Sequence, residues 1–255
     1  MSGPPWIVVP TYNEAENLEP LVHAVRESVP EARVLVVDDA SPDGTGALAD
    51  AIAARDGAVE VLHRAGKAGL GLAYVNGFAH ALRGGAGYVV EMDADLSHDP
   101  ADLPRLLEPA RAGADLVLGS RYVDGGGVED WDLLRRVISR GGCGYARAVL
   151  GVDVRDLTGG FKCFRAATLN AIDFETVRSE GYAFQVELTY RTLARGMRVQ
   201  EVPITFRERS AGESKMSARI ALEAMWLVPA LRLARRRDGL PEAPGSGEPG
   251  SLPVS

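Results

Sequence analysis

The chain has 255 residues, of which 46% are hydrophobic and 25% are charged, so it is long enough to bury a core as one large domain or two small ones. Its formal net charge of −7 argues against a general nucleic-acid binder, because such proteins need a basic surface to displace counterions. A phosphate group would have to be held by local basic residues or by a metal ion.

Strands and helices alternate in the first half of the sequence. Apolar runs predict buried strands at Trp6–Pro10, Arg33–Asp38, Val59–His63, Gly87–Met92 and Asp115–Gly119. Segments with helical periodicity lie between them, at Glu14–Ser28, Gly46–Arg55, Leu70–Leu82 and Pro100–Arg111. This alternation predicts an α/β fold with a mainly parallel sheet flanked by helices, whose ligands bind at the carboxyl ends of the strands.

The second half is less regular. Residues 130–150 have helical periodicity, which we expect to be interrupted at Gly141 and Gly142. Residues 160–164 predict a strand, residues 181–195 a helix, and residues 197–206 an extended segment.

The C-terminal part carries two further signals. Residues 216–237 predict an amphipathic helix with a basic end, which either packs on the domain or lies at a bilayer interface. Residues 238–255 are rich in Pro, Gly and Ser and predict a disordered tail.

Cysteine use and the N-terminus bear on location. Cys143 and Cys163 have no metal-ligand spacing and no partners for a disulfide framework, which fits a reducing, cytosolic compartment. The N-terminal segment MSGPPWIVVPTYNE lacks a basic region followed by a long apolar stretch, so no secretory signal is predicted. The most hydrophobic helical candidate, residues 220–234, is shorter than the roughly 20 apolar residues of a membrane span. We therefore expect a soluble or surface-associated protein.

Acidic residues follow three of the predicted strands, in the segments PTYNE, VVDDASPDG and MDADLSHDP. Because the carboxyl ends of parallel strands meet at one edge of a sheet, five carboxylates are expected to converge there: Glu14, Asp38, Asp39, Asp93 and Asp95. Carboxylates brought together repel one another unless a cation joins them, and Mg²⁺ or Mn²⁺ prefers oxygen ligands of this kind. Asp93 and Asp95 are two residues apart in an extended segment, so they point to the same side and can address one ion.

The same segment has a second interpretation, without a cation. Asp93 and Asp95 can be turn residues that end a buried strand, since short acidic side chains favour turns. Asp99 followed by Pro100 is typical of a helix N-cap with proline at the first helical position, and we favour that role for Asp99. We expect His98 to be a solvent-facing loop residue rather than a ligand.

Eight motifs in order along residues 6–220 resemble those of the polyprenol (dolichol) phosphate mannosyltransferases: PTYNE, VVDDASPDGT, KAGLGLAYVNGF, MDADLSHDP, LVLGSRYVDGG, TGGFKCFR, GYAFQVEL and ERSAGESKMS. These enzymes are inverting family 2 glycosyltransferases of the GT-A fold. The resemblance implies transfer of mannose from GDP-mannose to a polyprenyl monophosphate, with Mg²⁺ or Mn²⁺ as cofactor. It also implies a single GT-A domain over residues 1–237, with a nucleotide-sugar half at about 6–120 and an acceptor half at about 121–215.

The resemblance implies a role for individual positions in donor binding. The positions expected at the nucleotide pocket and the guanosine are Pro10, Tyr12, Glu14, Val37 and Asp39.

Other positions are implied beside the diphosphate and the sugar, namely Asp93, Ala94 and Asp95. The implied metal site consists of Asp93, Asp95 and Ser97, with Asp95 the main ligand and catalytic. The family often has Gln where this chain has Ser97, and a serine reaches a metal through its hydroxyl oxygen or through a water.

Three basic positions are implied to contact the donor or acceptor phosphates, namely Arg121, Arg209 and Lys215, with Arg121 also catalytic. A dense basic run such as residues 207–219 is otherwise typical of a solvated surface. The acceptor is a phosphate monoester that is already anionic at neutral pH, so we predict no essential catalytic base. A metal ion acts as Lewis acid on the departing diphosphate, and Arg and Lys neutralise the acceptor.

A lipid acceptor implies contact with a membrane surface, at its cytoplasmic face, and makes a membrane protein a candidate partner. The runner-up function is a related transferase that uses UDP-glucose or another sugar nucleotide. The segment VLVVDDASPDG is also similar to the acidic pocket of a response-regulator receiver, a signalling module. That reading needs a phosphoacceptor Asp at the end of the third strand, where this chain has VLHRAGK. A dinucleotide-binding oxidoreductase is excluded, because no G-x-G-x-x-G follows the first strand.

Overall fold

A computed structural model describes residues 3–129, 131, 133–207, 226 and 228–233. Two of the basic positions singled out above, Arg209 and Lys215, lie outside the described residues. The predicted tail at residues 238–255 and most of the predicted helix at residues 216–237 lie outside them as well.

The described strands form a mixed sheet and a small ribbon. The strands are β1 Pro5–Thr11, β2 Arg33–Asp38, β3 Val59–His63, β4 Tyr88–Glu91, β5 Leu116–Ser120, β6 Gly127–Val128, β7 Lys162–Arg165, β8 Val199–Pro203 and β9 Thr205–Phe206. The order of the sheet is β3-β2-β1-β4-β7-β5-β8, and β6 pairs with β9 in the ribbon. Strand β7 runs antiparallel to both β4 and β5, and the other pairs are parallel.

The helices cover both faces of the sheet. They are α1 Ala15–Ser28, α2 Thr45–Arg55, α3 Leu70–Arg83, α4 Leu103–Arg111, α5 Leu133–Leu150, α6 Ala166–Ala171 and α7 Gly181–Ala194. A 3₁₀ turn at Pro100–Asp102 precedes α4. The Asp99 side chain caps this turn by accepting the Ala101 N–H at 2.9 Å, which confirms the role predicted for Asp99.

Two hydrophobic layers sandwich the sheet. Along β1, Ile7 and Val9 pack into the layer that contains α1, α2 and α4. Trp6 and Val8 point the other way, into the layer that contains α3 and α7. Because strand residues alternate between faces, a strand covered on both sides is apolar at every position. The α/β fold with a mainly parallel sheet is therefore confirmed, and the strands of the first half begin and end within one residue of the predicted positions.

Helix α5 differs from the expectation. It runs from Leu133 to Leu150 without a break at Gly141 and Gly142, so the predicted interruption is wrong. A glycine weakens a helix by about 1 kcal/mol but keeps its N–H donor, unlike proline. The buried side chains of Cys143 and Ala146 hold this part of the helix on the domain, and packing of that kind overrides local propensity.

Three loops leave the carboxyl edge of the sheet through left-handed backbone. Asn13, Ala40 and Leu96, which follow β1, β2 and β4, have φ values of 61°, 55° and 59°. Residues other than glycine adopt this region rarely. The unusual backbone is therefore concentrated where three chains turn out of the sheet beside the acidic segments.

The described helices include none with the length and apolar character that crossing a bilayer requires.

Candidate active site

A cavity of about 400 Å³ opens at the carboxyl edge of the sheet. Strands β2, β1, β4 and β5 end there, and the start of β7 joins them because that strand is antiparallel. Many of the site residues predicted from the sequence line this cavity, namely Pro10, Tyr12, Glu14, Asp39, Asp93, Ala94, Asp95 and Arg121. The topology thus brings together residues that are more than 100 positions apart.

On the β2 side, the cavity is lined by Asp39, whose ion-pair partner Arg64 lies behind it, and by a cation stacked on an aromatic ring. Arg64 Nη1 lies 2.5 Å from Asp39 Oδ1, and both side chains are largely buried. Burial raises the pKa of Asp39, although the attraction of Arg64 opposes it. The Lys67 ammonium lies 4.0 Å from the centre of the Tyr12 ring. This side offers a carboxylate, an aromatic ring and a cation, a combination suited to a nucleotide.

The loop that carries Asp93 and Asp95 is held from several sides. Tyr74 Oη on α3 donates to Asp93 Oδ1 at 3.1 Å. The Asp93 N–H donates to His98 Nδ1 at 3.3 Å, and the Ser97 N–H donates to Asp95 Oδ1 at 3.1 Å. The orientation of both carboxylates is therefore set by neighbouring groups before any ligand binds.

His98 corrects a prediction. It is buried, with 2% of its surface exposed, and its ring stacks on Phe161 at 4.9 Å between centres. The expectation of a solvent-facing loop residue is therefore wrong. Burial lowers the pKa of His98, so the ring is neutral and Nδ1 is available as an acceptor for the Asp93 N–H.

The acidic convergence is smaller than predicted. Asp38 accepts hydrogen bonds from Thr11 Oγ1 at 3.1 Å and from Ser41 Oγ at 2.6 Å, and it is not among the residues that line the cavity. Within the described residues, no group of three or more His, Cys, Asp and Glu side chains is arranged to hold a metal ion. Asp93 and Asp95, two residues apart in the sequence, both line the cavity, and Mg²⁺ commonly binds one or two carboxylates together with substrate phosphates.

Ser97 and Val37 occupy positions unlike those expected. Ser97 Oγ is buried and has no hydrogen-bond partner among the described residues, but Ser97 is not part of the cavity lining. An orphaned buried hydroxyl two residues from Asp95 is compatible with an oxygen ligand at this site. The Val37 side chain is fully buried in the hydrophobic layer beside α3, so it supports the cavity wall from behind.

On the β5 side, Arg121 is part of a buried ion pair. Its Nε and Nη2 atoms donate to the two carboxylate oxygens of Asp156 at 2.7 Å each, and Nη2 also donates to Thr158 Oγ1 at 2.9 Å. Burial alone would raise the pKa of Asp156, but the charge and hydrogen bonds of Arg121 hold it below its usual value. Arg121 therefore lines the cavity as one member of a fixed bidentate pair.

A buried acid and a buried base lie side by side on β4 and β7, and the base ties β7 to α7. Glu91 and Lys162 are register partners, and both are fully buried. Lys162 Nζ donates to the main-chain oxygen of Gln185 at 2.6 Å and to Thr189 Oγ1 at 2.9 Å. Burial raises the pKa of Glu91 to about 7 and lowers that of Lys162 to about 8, and in each case the charge of the other group opposes the shift.

Sequence reasoning assigned no role to several residues that line the cavity or hold it together, namely Arg64, Lys67, Tyr74, Arg135, Asp156, Glu180 and Gln185. The motifs KAGLGLAYVNGF and GYAFQVEL contain three of them, Lys67, Tyr74 and Gln185, so a signal was present. The partners of these side chains become visible only in the folded chain. Glu180, for example, accepts the Gly71 N–H at the start of α3 at 3.1 Å, across 109 residues.

The Tyr74→Phe variant tests the support of Asp93. It removes one hydroxyl from a buried ring, so the fold should persist while the Asp93 carboxylate loses its fixed orientation. We expect Mn²⁺ binding in the presence of a nucleoside diphosphate to weaken about tenfold or more, as for other residues that orient metal ligands. Titration calorimetry measures this. Tyr122→Phe is the matched control, because that hydroxyl bonds Ser139 instead. Equal Mn²⁺ affinity in the two variants would contradict the role of Tyr74.

The Arg121→Met variant tests the buried ion pair. It leaves Asp156 as an uncompensated buried charge, so we expect the free energy of unfolding to fall by about 3–5 kcal/mol. Urea unfolding measures this loss of stability. The control Arg135→Met, in the same cavity, should lower the free energy of unfolding much less.

The pair also predicts a pH dependence. The folded-state pKa of Asp156 is lowered, so its stabilising contribution is fully present above about pH 4, the unfolded value, and is lost as the pH falls through the lower folded value. The double variant Arg121→Met, Asp156→Asn should recover part of the stability and lose part of the acid sensitivity. A double variant as acid-sensitive as the wild type would exclude Asp156 as a source of it.

Comparison with known proteins identifies the family. The sequence model described as Glycosyl transferase family 2 matches residues 6–172. An undecaprenyl-phosphate mannosyltransferase from Micrococcus luteus is 53% identical over 233 residues, which are 91% of this chain and 96% of that protein. A polyprenol monophosphomannose synthase from Mycolicibacterium smegmatis is 51% identical over 223 residues, which are 87% of this chain and 84% of that protein.

Solved structures share the fold at lower identity. Glucosyl-3-phosphoglycerate synthase from Mycobacterium tuberculosis, in complex with phosphoglyceric acid, has a TM-score of 0.65 at 19% identity, covering 94% of this chain and 82% of that one. The mannosyltransferase PcManGT from Pyrobaculum calidifontis, in complex with GDP-Man and Mn²⁺, has a TM-score of 0.56 at 17% identity, covering 93% and 75%. These structures confirm the GT-A fold, the two bacterial relatives confirm the resemblance seen in the motifs, and the chain belongs to glycosyltransferase family 2.

Proposed function

We propose that this chain transfers a mannosyl group from GDP-mannose to a polyprenyl monophosphate, forming polyprenyl-phosphate mannose and GDP with inversion at the anomeric carbon. The names of the two bacterial relatives, at 53% and 51% identity, support mannosyl transfer to such a lipid. The observation that carries the proposal is the juxtaposition, in one cavity, of Asp39 on the β2 side, Asp93 and Asp95 in the middle, and Arg121 on the β5 side.

The β2 side is suited to the nucleoside of the donor. Asp39 presents a carboxylate that Arg64 fixes in place, and a guanine base offers N–H donors to such a group. Tyr12 lines the same part of the cavity with Lys67 over its ring. Lys67 is exposed and positioned to approach a phosphate, and moving off the ring to do so costs only a weak cation–π contact.

Asp93 and Asp95 are the groups that would hold a divalent ion, Mg²⁺ or Mn²⁺. A bound ion of this kind neutralises the charge that develops on the departing diphosphate. Tyr74 and His98 keep the loop in one arrangement through their contacts with Asp93, so little reorganisation is needed when the donor enters.

The acceptor supplies its own nucleophile. A phosphate monoester has a second pKa near 6, so it is mostly dianionic at neutral pH. One of its oxygens forms the new bond to the anomeric carbon, while the bond from that carbon to the diphosphate oxygen breaks and the electron pair leaves with GDP. No proton has to be removed, and the chemistry therefore depends on positioning and on charge neutralisation.

The β5 side is suited to the acceptor phosphate. Arg121 and Arg135 line the cavity together with Trp131, and the Arg135 guanidinium lies 4.3 Å from the centre of the Trp131 ring. Arg121 is already paired with Asp156, so it contributes directed N–H groups more than net positive charge. Arg135 lies in the first turn of α5 and lines the cavity.

The outer face of α5 is suited to a membrane surface. Leu133, Val137 and Ile138 are exposed by 77%, 60% and 46%, and the same helix carries Arg136 and Arg140, which are also exposed. Apolar side chains among arginines are typical of a helix that lies at an anionic bilayer interface. We therefore propose that α5 contacts the membrane, the role that the sequence left open, beside packing on the domain, for residues 216–237.

The described part of the C-terminal segment contacts the end of α5. Arg232 Nη1 donates to the main-chain oxygen of Val149 in α5 at 2.6 Å, and the Val228 side chain is buried. Trp226 and Leu233 are exposed by 79% and 61%. Both elements therefore expose apolar side chains, and the start of α5 lies beside the cavity, which Arg135 lines.

The function is tested by incubating the chain with radiolabelled GDP-mannose and a polyprenyl phosphate, with and without EDTA. We expect lipid-linked mannose to form and EDTA to abolish it. Asp95→Ala should lower turnover at least about 100-fold, since losing a metal ligand costs several kcal/mol of transition-state stabilisation. Asp99→Asn is the matched control, because it removes a carboxylate from the same loop and keeps an N-cap.

Each negative result has its own meaning. No transfer from GDP-mannose, with transfer from UDP-glucose, would replace the proposed donor. Transfer that persists in EDTA would refute the metal dependence. Near-normal activity in Asp95→Ala would refute the role of the acidic loop.

Membrane attachment is tested by flotation with vesicles that contain anionic phospholipid. The wild-type chain should float with them, and the double variant Val137→Asp, Ile138→Asp should float less, because two carboxylates oppose burial at an anionic interface. The control Ala51→Asp, Ala54→Asp places the same charges on an exposed part of α2. Equal flotation of both double variants would show that α5 does not touch the bilayer.

A further inference from the structure

Three polar side chains surround a small space beside Gly160, two residues before β7. A Cβ atom built on Gly160 would lie 3.5 Å from Gln185 Nε2, 3.9 Å from Asp93 Oδ2 and 3.9 Å from His98 Cε1. All four residues line the cavity. The glycine thus leaves room for a ligand atom at a point that an acidic loop and helix α7 approach together.

Gln185 is unusual among the side chains of this space. It is buried, with 3% of its surface exposed, and its Oε1 atom has no hydrogen-bond partner among the described residues. A buried carbonyl oxygen without a partner costs about 1–3 kcal/mol, so a protein keeps one mainly where a ligand satisfies it. In the structure Nε2 is the atom of Gln185 nearest this space, and the side chain also interacts with the buried Glu91 carboxyl. Because the terminal torsion of glutamine is broad and two-fold, a turn of the carboxamide brings Oε1 toward a group placed beside Gly160.

The main chain holds Gln185 in position. Its carbonyl oxygen accepts from Lys162 Nζ at 2.6 Å and from Thr189 Oγ1 at 3.0 Å. The Lys162 ammonium is therefore directed at the backbone of α7 and at Thr189. The backbone that carries Gln185 is therefore anchored to β7 through Lys162, while its neutral carboxamide can turn about the terminal torsion.

The charges at this point favour hydroxyl groups over an anion. Asp93 Oδ1 accepts the proton of Tyr74, and Oδ2 is the atom that faces Gly160. His98 Nδ1 accepts the Asp93 N–H, so the neutral ring carries its hydrogen on Nε2. A carboxylate next to a carboxamide repels a phosphate, whereas a hydroxyl donates to the one and exchanges hydrogen bonds with the other.

We propose that Gln185 is a specificity-determining residue that hydrogen-bonds a hydroxyl group of the hexosyl part of a sugar-nucleotide donor, with Asp93 accepting from the same sugar. The inference rests on the proposed function for the class of donor. It adds a site that recognises the sugar rather than the nucleotide or the metal ion.

The experiment compares each sugar nucleotide with the nucleoside diphosphate that lacks the sugar. Gln185→Met keeps the length of the side chain and removes its polar atoms. By titration calorimetry we expect the Kd for GDP-mannose to rise about tenfold or more, which corresponds to the loss of one buried hydrogen bond, while the Kd for GDP changes less than about twofold. Gln200→Met, on β8 and away from the cavity, is the control and should change neither.

A second variant tests the same space without changing Gln185. Gly160→Ala places a methyl group in the space itself, at ordinary contact distances from its neighbours. This variant should also bind GDP-mannose more weakly than the wild type and bind GDP with the same affinity. Thermal melting of both variants checks that the fold persists.

The outcomes separate this inference from the proposed function. If the wild type binds UDP-glucose and UDP instead of the guanosine pair, the proposed donor is wrong, and the same comparison made with the uridine pair decides the role of Gln185. If Gln185→Met binds the sugar nucleotide as tightly as the wild type, Gln185 does not recognise the sugar. The same conclusion holds if the affinities for the sugar nucleotide and for the nucleoside diphosphate fall by the same factor. A wild-type chain that binds no sugar nucleotide would overturn both.

Discussion

The stacking of His98 on Phe161 is the contact on which the rest of the site depends. Phe161 comes just before β7, and β7 is the antiparallel strand between β4 and β5. Only an antiparallel strand brings its start to the edge where its parallel neighbours end. The aromatic residue therefore lies next to the loop that leaves β4, and the buried ring of His98 fixes that loop so that Asp93 and Asp95 face the cavity.

Positive and negative side chains are paired at the site, although the chain as a whole has a net charge of −7. Asp39 is paired with Arg64, and Arg121 is paired with Asp156, on opposite sides of the cavity. Pairs of this kind contribute little to stability compared with apolar groups of the same size, but breaking one leaves a costly buried charge. Their value here is geometric, because each pair fixes the direction in which a donor or acceptor group points before a ligand arrives.

Sequence reasoning located the elements well and the contacts less well. The strands of the first half are apolar at most positions because helices cover both faces, so their limits are visible in the sequence. The convergence at the carboxyl edge followed from the parallel topology alone. The burial of His98 and the diversion of Asp38 to Thr11 and Ser41 depend on side chains brought together by folding, and no local pattern reports them. The continuity of α5 through Gly141 likewise depends on packing rather than on propensity.

The position of β7 in the sheet also determines the order in which the strands can pair during synthesis. Strands β1 to β4 are hydrogen-bonded neighbours in space and all lie within the first 91 residues, so they can pair as soon as that part of the chain exists. Strand β5 has no sheet partner among them, because its neighbours are β7 and β8. During synthesis from the N-terminus, the acidic loop and Asp39 can therefore meet early, whereas the β5 side closes only when residues up to Pro203 are available. Both edges of β5 are unpaired until β7 is available, and one edge stays unpaired until β8 is available. An unpaired strand edge of this kind can pair with another chain and promote aggregation.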